Sequence, residues 1–221
     1  MKFKNLDIDW LGNSGFRIKN SSVIYIDPHM IKDGLEKADL ILITHGHYDH
    51  CSLEDINKIV KDGTVIVAPA DCQSKIVRTN ANVRVEIVEP GIDFSFGSVK
   101  VSTFPAYNID KPFHHKEDNL LGYLIQIGDI IIYHAGDTDK IPEMQKITGH
   151  KQPGKEIVLL LPVGGRFTMC PEEAGEVIKE IKPDLAIPMH YGTIAGSDED
   201  AEEFKEFCDE CGIRCEILEK L

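Results

Sequence analysis

The stretch Asp39-Leu40-Ile41-Leu42-Ile43-Thr44-His45-Gly46-His47-Tyr48-Asp49-His50 carries an apolar run directly into three histidines and an aspartate. Leu40 to Ile43 has the length and branching of a strand buried on both faces. Ser52-Leu53-Glu54-Asp55 then opens a helix with Ser52 as its cap, so the polar run is a strand-to-helix loop. In extended chain His45 and His47 project from the same side and can share one cation, while the turn lets Asp49 and His50 face a second. Gly46 fits because a side chain between two convergent imidazoles would crowd the ion. The bland reading is a polar surface loop or a purification tag. A buried strand feeding the cluster argues instead for metal ligands.

Outward from this stretch the same strand signature recurs at 22–26, 64–67, 130–133, 157–161 and 185–187. Helical spacing covers Leu53 to Val60, Pro171 to Ile181 and Asp198 to Cys211, where Phe204, Phe207, Cys208 and Cys211 fall three and four apart. Across 83–134 strands follow one another with only turns between them, as at Pro90-Gly91 and Phe96-Gly97, which predicts antiparallel pairing. The chain therefore reads as a mixed α/β domain over 1–221, with two sheets packed together and sheathed by helices rather than a doubly wound sheet.

Composition agrees with a folded, water-soluble protein: 221 residues, 42% hydrophobic and 28% charged. With 37 acidic against 24 basic residues the formal charge is −13, which repels polyanions and disfavours nucleic acid as a partner, although bound divalent cations reverse the sign locally. Residues 1–9 are too polar for the apolar core of a secretion signal, and no apolar run approaches transmembrane length. Six cysteines without an export signal are expected to be reduced, with a cytoplasmic location as the default. The sequence leaves the oligomeric state open.

Two ions need further ligands, and the sequence offers them at strand ends. Asp137 follows Ile131-Ile132-Tyr133-His134-Ala135-Gly136, and His190 follows Leu185-Ala186-Ile187-Pro188-Met189. An Asp after a strand is often a turn residue and a lone His is often structural; their recurrence at the same kind of place favours ligands. The irregular segment 105–119 carries Tyr107, Lys111, His114, His115 and Lys116 without periodicity, and long loops in compact domains are commonly functional. The cysteines at 208, 211 and 215 lack a fourth partner and read as core packing, as does Cys51.

Thr44 to His50, then Ala135-Gly136-Asp137-Thr138-Asp139, then Pro188-Met189-His190-Tyr191-Gly192 resemble three ordered signatures of the metallo-β-lactamase superfamily. The resemblance implies an αβ/βα four-layer sandwich with a dinuclear site. It assigns His45 and His47 to the first ion, Asp49, His50 and His190 to the second, and Asp137 to both. Trp10-Leu11-Gly12-Asn13-Ser14-Gly15 and Tyr25-Ile26-Asp27-Pro28 resemble the branch holding ascorbate-6-phosphate lactonase and N-acylphosphatidylethanolamine phospholipase D, in which Asp27 would lie near the metals. Two positions depart from the pattern. Asn108 stands where a third-motif histidine belongs, and its amide oxygen suits a harder ion such as manganese; alternatively His114 or His115 completes the first shell. Asn13 replaces a histidine.

These readings predict a metal-dependent hydrolase with two divalent ions, zinc first and manganese, iron or nickel as alternatives. A metal-activated hydroxide would attack an ester, lactone or phosphodiester of a small anionic metabolite, with Asp49 orienting the nucleophile or passing a proton to the leaving group. His114, Lys116 and Tyr191 are the expected substrate contacts, with Lys111, Lys116 and Arg166 as anion partners if they are more than surface charge. The alternatives are a phosphodiesterase or nuclease acting on RNA or DNA, and a non-hydrolytic metal-binding or redox protein. A nuclease lacks its added basic domain here, and the flavin-dependent di-iron relatives carry Glu where this chain has His47.

Overall fold

In the computed structural model, which describes residues 1–221, two mixed sheets account for all the strands. The chain falls into two compact units, Met1–Glu89 with Leu218–Leu221, and Pro90–Ile217.

The first unit holds a seven-stranded sheet whose order follows the chain: β1 (Lys2–Phe3), β2 (Leu6–Gly12), β3 (Gly15–Lys19), β4 (Val23–Ile26), β5 (Leu40–Leu42), β6 (Val65–Ala68) and β7 (Arg84–Ile87). The first three turns are antiparallel hairpins, and β4 to β7 run parallel. The hairpin β2–β3 has no continuous apolar run because β2 alternates, with Leu6 and Ile8 buried and Asp7 exposed between them. Helix α1 (Leu53–Ile59) crosses from β5 to β6, and its Ile56 and Ile59 pack with Ile41, Ile43, Ile66 and Ala68 of the sheet. Fully burying each of these isoleucine side chains is worth about 1.5–3 kcal/mol, which makes α1 the clamp on the loop that precedes it. A 3₁₀ turn at Ala70–Cys72 and the short helix α2 (Gln73–Ile76) lead from β6 to β7.

That crossover corrects the expected antiparallel run at its start. β7 pairs parallel with β6, because a connection containing helical turns returns the chain to the same end of the sheet. Antiparallel order begins with the second unit, at β8 (Asp93–Phe96), β9 (Val99–Pro105), β10 (Leu121–Ile127) and β11 (Ile130–His134).

The second sheet has the order β13-β12-β11-β10-β9-β8, with β12 (Glu156–Pro162) and β13 (Leu185–Met189) parallel to β11. Ile130 to His134 and Ile157 to Pro162 are buried along their whole lengths, as strands covered on both faces must be. Helix α3 (Pro171–Ile181) begins at a proline with Glu172 and Glu173 in its first turn, where the helix dipole favours acids. It packs against α4 (Asp198–Glu210), whose Phe204 and Cys208 are buried. All six cysteines are free thiols, and no helix is long and apolar enough to cross a membrane.

Candidate metal centre

In the first unit the ends of two neighbouring parallel strands build a buried polar knot. Asp27, one residue past β4, accepts from the Thr44 amide at 2.8 Å, from the Thr44 hydroxyl at 2.5 Å and from His50 Nδ1 at 2.7 Å. Because the Thr44 proton goes to Asp27, its Oγ1 acts as acceptor for His45 Nδ1 at 3.0 Å. These partners place hydrogen on Nδ1 of both His45 and His50 and leave the lone pair on each Nε2. His45 Nε2 lies 3.0 Å from His47 Nδ1, and His50 Nε2 lies 3.3 Å from Asp49 Oδ2. Two acceptors at such distances need a proton or a cation between them, so the donor set of imidazole nitrogen and carboxylate oxygen fits a divalent ion.

Asn13 has a definite task here. Its Nδ2 donates to Asp49 Oδ2 at 3.0 Å, while its backbone carbonyl accepts from the Trp10 indole at 2.8 Å. The reason for Gly46 differs from the one expected. Its amide donates to Asp71 Oδ2 at 2.7 Å and its carbonyl accepts from Lys75 Nζ at 2.6 Å. A Cβ there would sit 2.7 Å from Asp71 Oδ2, so the constraint comes from the turn before α2 and not from the imidazoles.

The second unit gathers Asp137, His190 and His114, all buried. Asp137 lies three residues past β11, where the Gly136 amide donates to His134 Nδ1 at 3.2 Å and shapes the turn. Asp137 Oδ2 is 3.2 Å from His190 Nε2 and 3.7 Å from His114 Nε2. His190 directly follows β13, and Gly164 beyond β12 makes room for it: a Cβ at Gly164 would lie 2.3 Å from the His190 carbonyl oxygen.

Asn108 sits behind His114. Its Oδ1 is 3.2 Å from His114 Nδ1, and its Nδ2 donates to Asp139 Oδ1 and to the Phe167 carbonyl, each at 2.9 Å. Asp139 also accepts from the Ile109 amide at 2.9 Å and is ion-paired with Lys111. Asp139 is thus the organiser of the 105–119 loop, and Lys111 neutralises it. Lys116 is held by Glu143 at 2.8 Å and lies over the Tyr107 ring. The Tyr107 phenol is pushed up by burial and by Glu143 beside it. Tyr191 is buried, and burial followed by Asp198 raises its phenol to about 12, so it stays protonated at neutral pH. Arg166 is exposed over the Phe167 ring, which meets Phe113 edge-on.

Backbone strain marks the same residues. Of eight non-glycine residues with positive φ, four are Asn13 (50°), Asp27 (42°), His114 (46°) and His190 (55°). Such conformations cost about 1–3 kcal/mol each and concentrate where function requires them. Thr44, Asp71, His134, Asp139, Gly164 and the Phe167 carbonyl support the candidate ligands without having been singled out in the sequence. Thr44, beside His45 at the tip of a buried strand, and Asp139, two residues after Asp137, left a readable trace.

The family model described as a beta-lactamase superfamily domain matches residues 7–190, which include every candidate ligand. The chain belongs to the metallo-β-lactamase superfamily. Within it, a UPF0173 metal-dependent hydrolase of Thermoplasma acidophilum is 35% identical over 209 residues, covering 91% of this chain and 90% of the relative, so the chain is a member of that family of metal-dependent hydrolases. The crystal structure of a proposed metal-dependent hydrolase from Parabacteroides distasonis matches with a TM-score of 0.83 at 28% identity, over 98% of this chain and 93% of the other. Igni18, a metallo hydrolase from Ignicoccus hospitalis, shares the fold with a TM-score of 0.77 at 24% identity, over 97% and 95% of the two chains.

Proposed function

We propose that this superfamily member hydrolyses an ester, lactone or phosphodiester of a small anionic metabolite at a dinuclear metal centre. The proposed ligands are His45, His47, Asp49, His50, Asp137 and His190. The observation that carries the reading is the pair of fixed tautomers: Thr44 and Asp27 turn the Nε2 lone pairs of His45 and His50 towards a second nitrogen and a carboxylate, a donor set that suits a divalent cation. Zinc suits imidazole and carboxylate donors best, with manganese, iron and nickel as alternatives. When bound, divalent ions supply Lewis acidity that polarises the scissile carbonyl or phosphoryl group and acidifies water.

The protein's own groups then have distinct tasks. Asp49, steadied by the Asn13 amide, orients the nucleophile and takes up its proton for delivery to the leaving group. Asp27 keeps hydrogen on His50 Nδ1 throughout. Arg166, exposed beside Phe113 and Phe167, is the cation placed to meet an anionic substrate, since Lys111 and Lys116 are engaged by Asp139 and Glu143. The early segments around Asn13 and Asp27 favour the branch of ascorbate-6-phosphate lactonase and N-acylphosphatidylethanolamine phospholipase D, and the contact of Asp27 with His50 supports that placement.

A screen of zinc- or manganese-loaded protein against lactones, carboxylic esters and phosphodiesters tests the reading. Turnover of a small anionic ester or lactone, lowered about 100-fold or more in kcat by Asp49→Asn, is the expected result. Activity confined to long RNA would overturn it.

A further inference from the structure

We infer that His114, and not Asn108, is the metal-binding side chain of the 105–119 loop, and that Asn108 is the positioning residue that makes it one. The inference rests on the reading that Asp137 and His190 bind metal. His114 Nδ1 faces two oxygen acceptors, Asn108 Oδ1 and the Phe167 carbonyl, both at 3.2 Å. Neither can donate to a ring nitrogen, so the hydrogen resides on Nδ1 and the lone pair on Nε2. That Nε2 approaches Asp137 Oδ2, the oxygen that His190 Nε2 also approaches. The carboxylate is flanked by two imidazoles, as a group bridging two ions would be.

Asn108 is turned away from a ligand's role by its own bonds. Both hydrogens of its amide have acceptors, Asp139 Oδ1 and the Phe167 carbonyl, which forces Oδ1 towards His114. An aspartate in its place would set a second carboxylate against Asp139, and a histidine would lose the paired donors. The backbone completes the arrangement: the Asn108 amide donates to the His114 carbonyl at 2.9 Å, closing the loop, and His114 takes φ +46°. Lys111 on Asp139 anchors the far end of the chain Lys111–Asp139–Asn108–His114. A ligand displaced six positions along the chain and steered by an amide is a different solution from a histidine placed directly after the strand.

The test is zinc and cobalt binding by purified variants, read as metal equivalents by elemental analysis, as affinity by chelator competition, and as the cobalt absorption spectrum. His114→Ala is expected to lose one tightly bound equivalent and to change the cobalt spectrum. Asn108→Ala is expected to keep the stoichiometry at saturating metal while weakening that equivalent about 10–100-fold, the usual cost of removing a partner behind a ligand. Asn108→Asp is expected to weaken it too. An Asn108→Asp protein that binds tighter, or a His114→Ala protein with unchanged stoichiometry and spectrum, would overturn the inference. Asp137→Ala is the control: if it lowers bound metal while His114→Ala does not, this inference alone fails, and if neither does, the underlying reading fails with it. Thermal unfolding of each metal-free variant separates loss of a ligand from loss of the fold.

Discussion

At the scale of single residues the site depends on what each ligand's second nitrogen or oxygen touches. Asp27, Thr44, Asn13 and Asn108 bind nothing themselves in this account, yet they decide which atom His45, His50, Asp49 and His114 present. Two glycines show how tightly the backbone is drawn around them. At Gly46 an added Cβ meets the carboxylate tip of Asp71, which can rotate away; at Gly164 it meets the backbone oxygen of His190 at 2.3 Å, which cannot. Gly164→Ala is therefore expected to cost about 1–3 kcal/mol in stability and to weaken metal binding by displacing His190, with Gly46→Ala the milder of the two. Chemical denaturation with parallel zinc titration checks the order; equal effects would show that the His190 backbone yields as easily as the Asp71 side chain. The His45 to His50 run was legible in the sequence because four ligand-type side chains stand in six positions. The role of Asn108 was not, because its partners Asp139 and Phe167 lie about 30 and 60 residues away and only the fold brings them together.

At the scale of elements, α1 holds the His45 to His50 loop to the first sheet, and its N-terminus is a fastening point. Ser52 caps the helix, and Asp55 accepts from the amides of Met30 and Ile31 at 2.9 and 3.1 Å, from the Ser52 hydroxyl and from Lys58. Burial alone would raise the Asp55 carboxyl, but these donors outweigh it and hold it below the ordinary aspartate range. A pKa lowered in the folded state means that the unfolded chain binds the proton more readily. The stabilisation is present above the usual value of about 3.9 and is lost as pH falls through the folded-state pKa. Asp55→Asn is expected to lower stability at pH 7 by about 1–3 kcal/mol and to flatten the acid limb of the stability profile, measured by denaturant unfolding from pH 7 downwards. An unchanged limb would remove Asp55 from the account. The helices α1, α3 and α4 were readable because apolar residues recur at helical spacing on one face of each. The hairpin β2–β3 and the parallel strand β7 were not: one alternates with acidic residues, and the other is mostly exposed and connected by helical turns too short to leave a period.

At the scale of the whole molecule, each sheet carries candidate ligands at the same kind of place, the loop just beyond a strand that runs parallel to its neighbour. In the first unit the His45 to His50 run follows β5, with Asp27 behind it after β4; in the second, Asp137 and His190 follow β11 and β13. This regularity is why Asp137 and His190, about 90 and 140 residues beyond His45, stand out as candidates from strand endings alone, and why the loop at 105–119, which follows an antiparallel strand, does not yield to the same reasoning. The central claim, that the His45–His50 cluster and the Asp137–His190 cluster hold divalent metal, is tested most directly by elemental analysis of protein purified without chelators, alongside His47→Ala and Asp137→Ala. The parent protein is expected to carry close to two equivalents of divalent metal and each variant less. Metal content unchanged in both variants would contradict it.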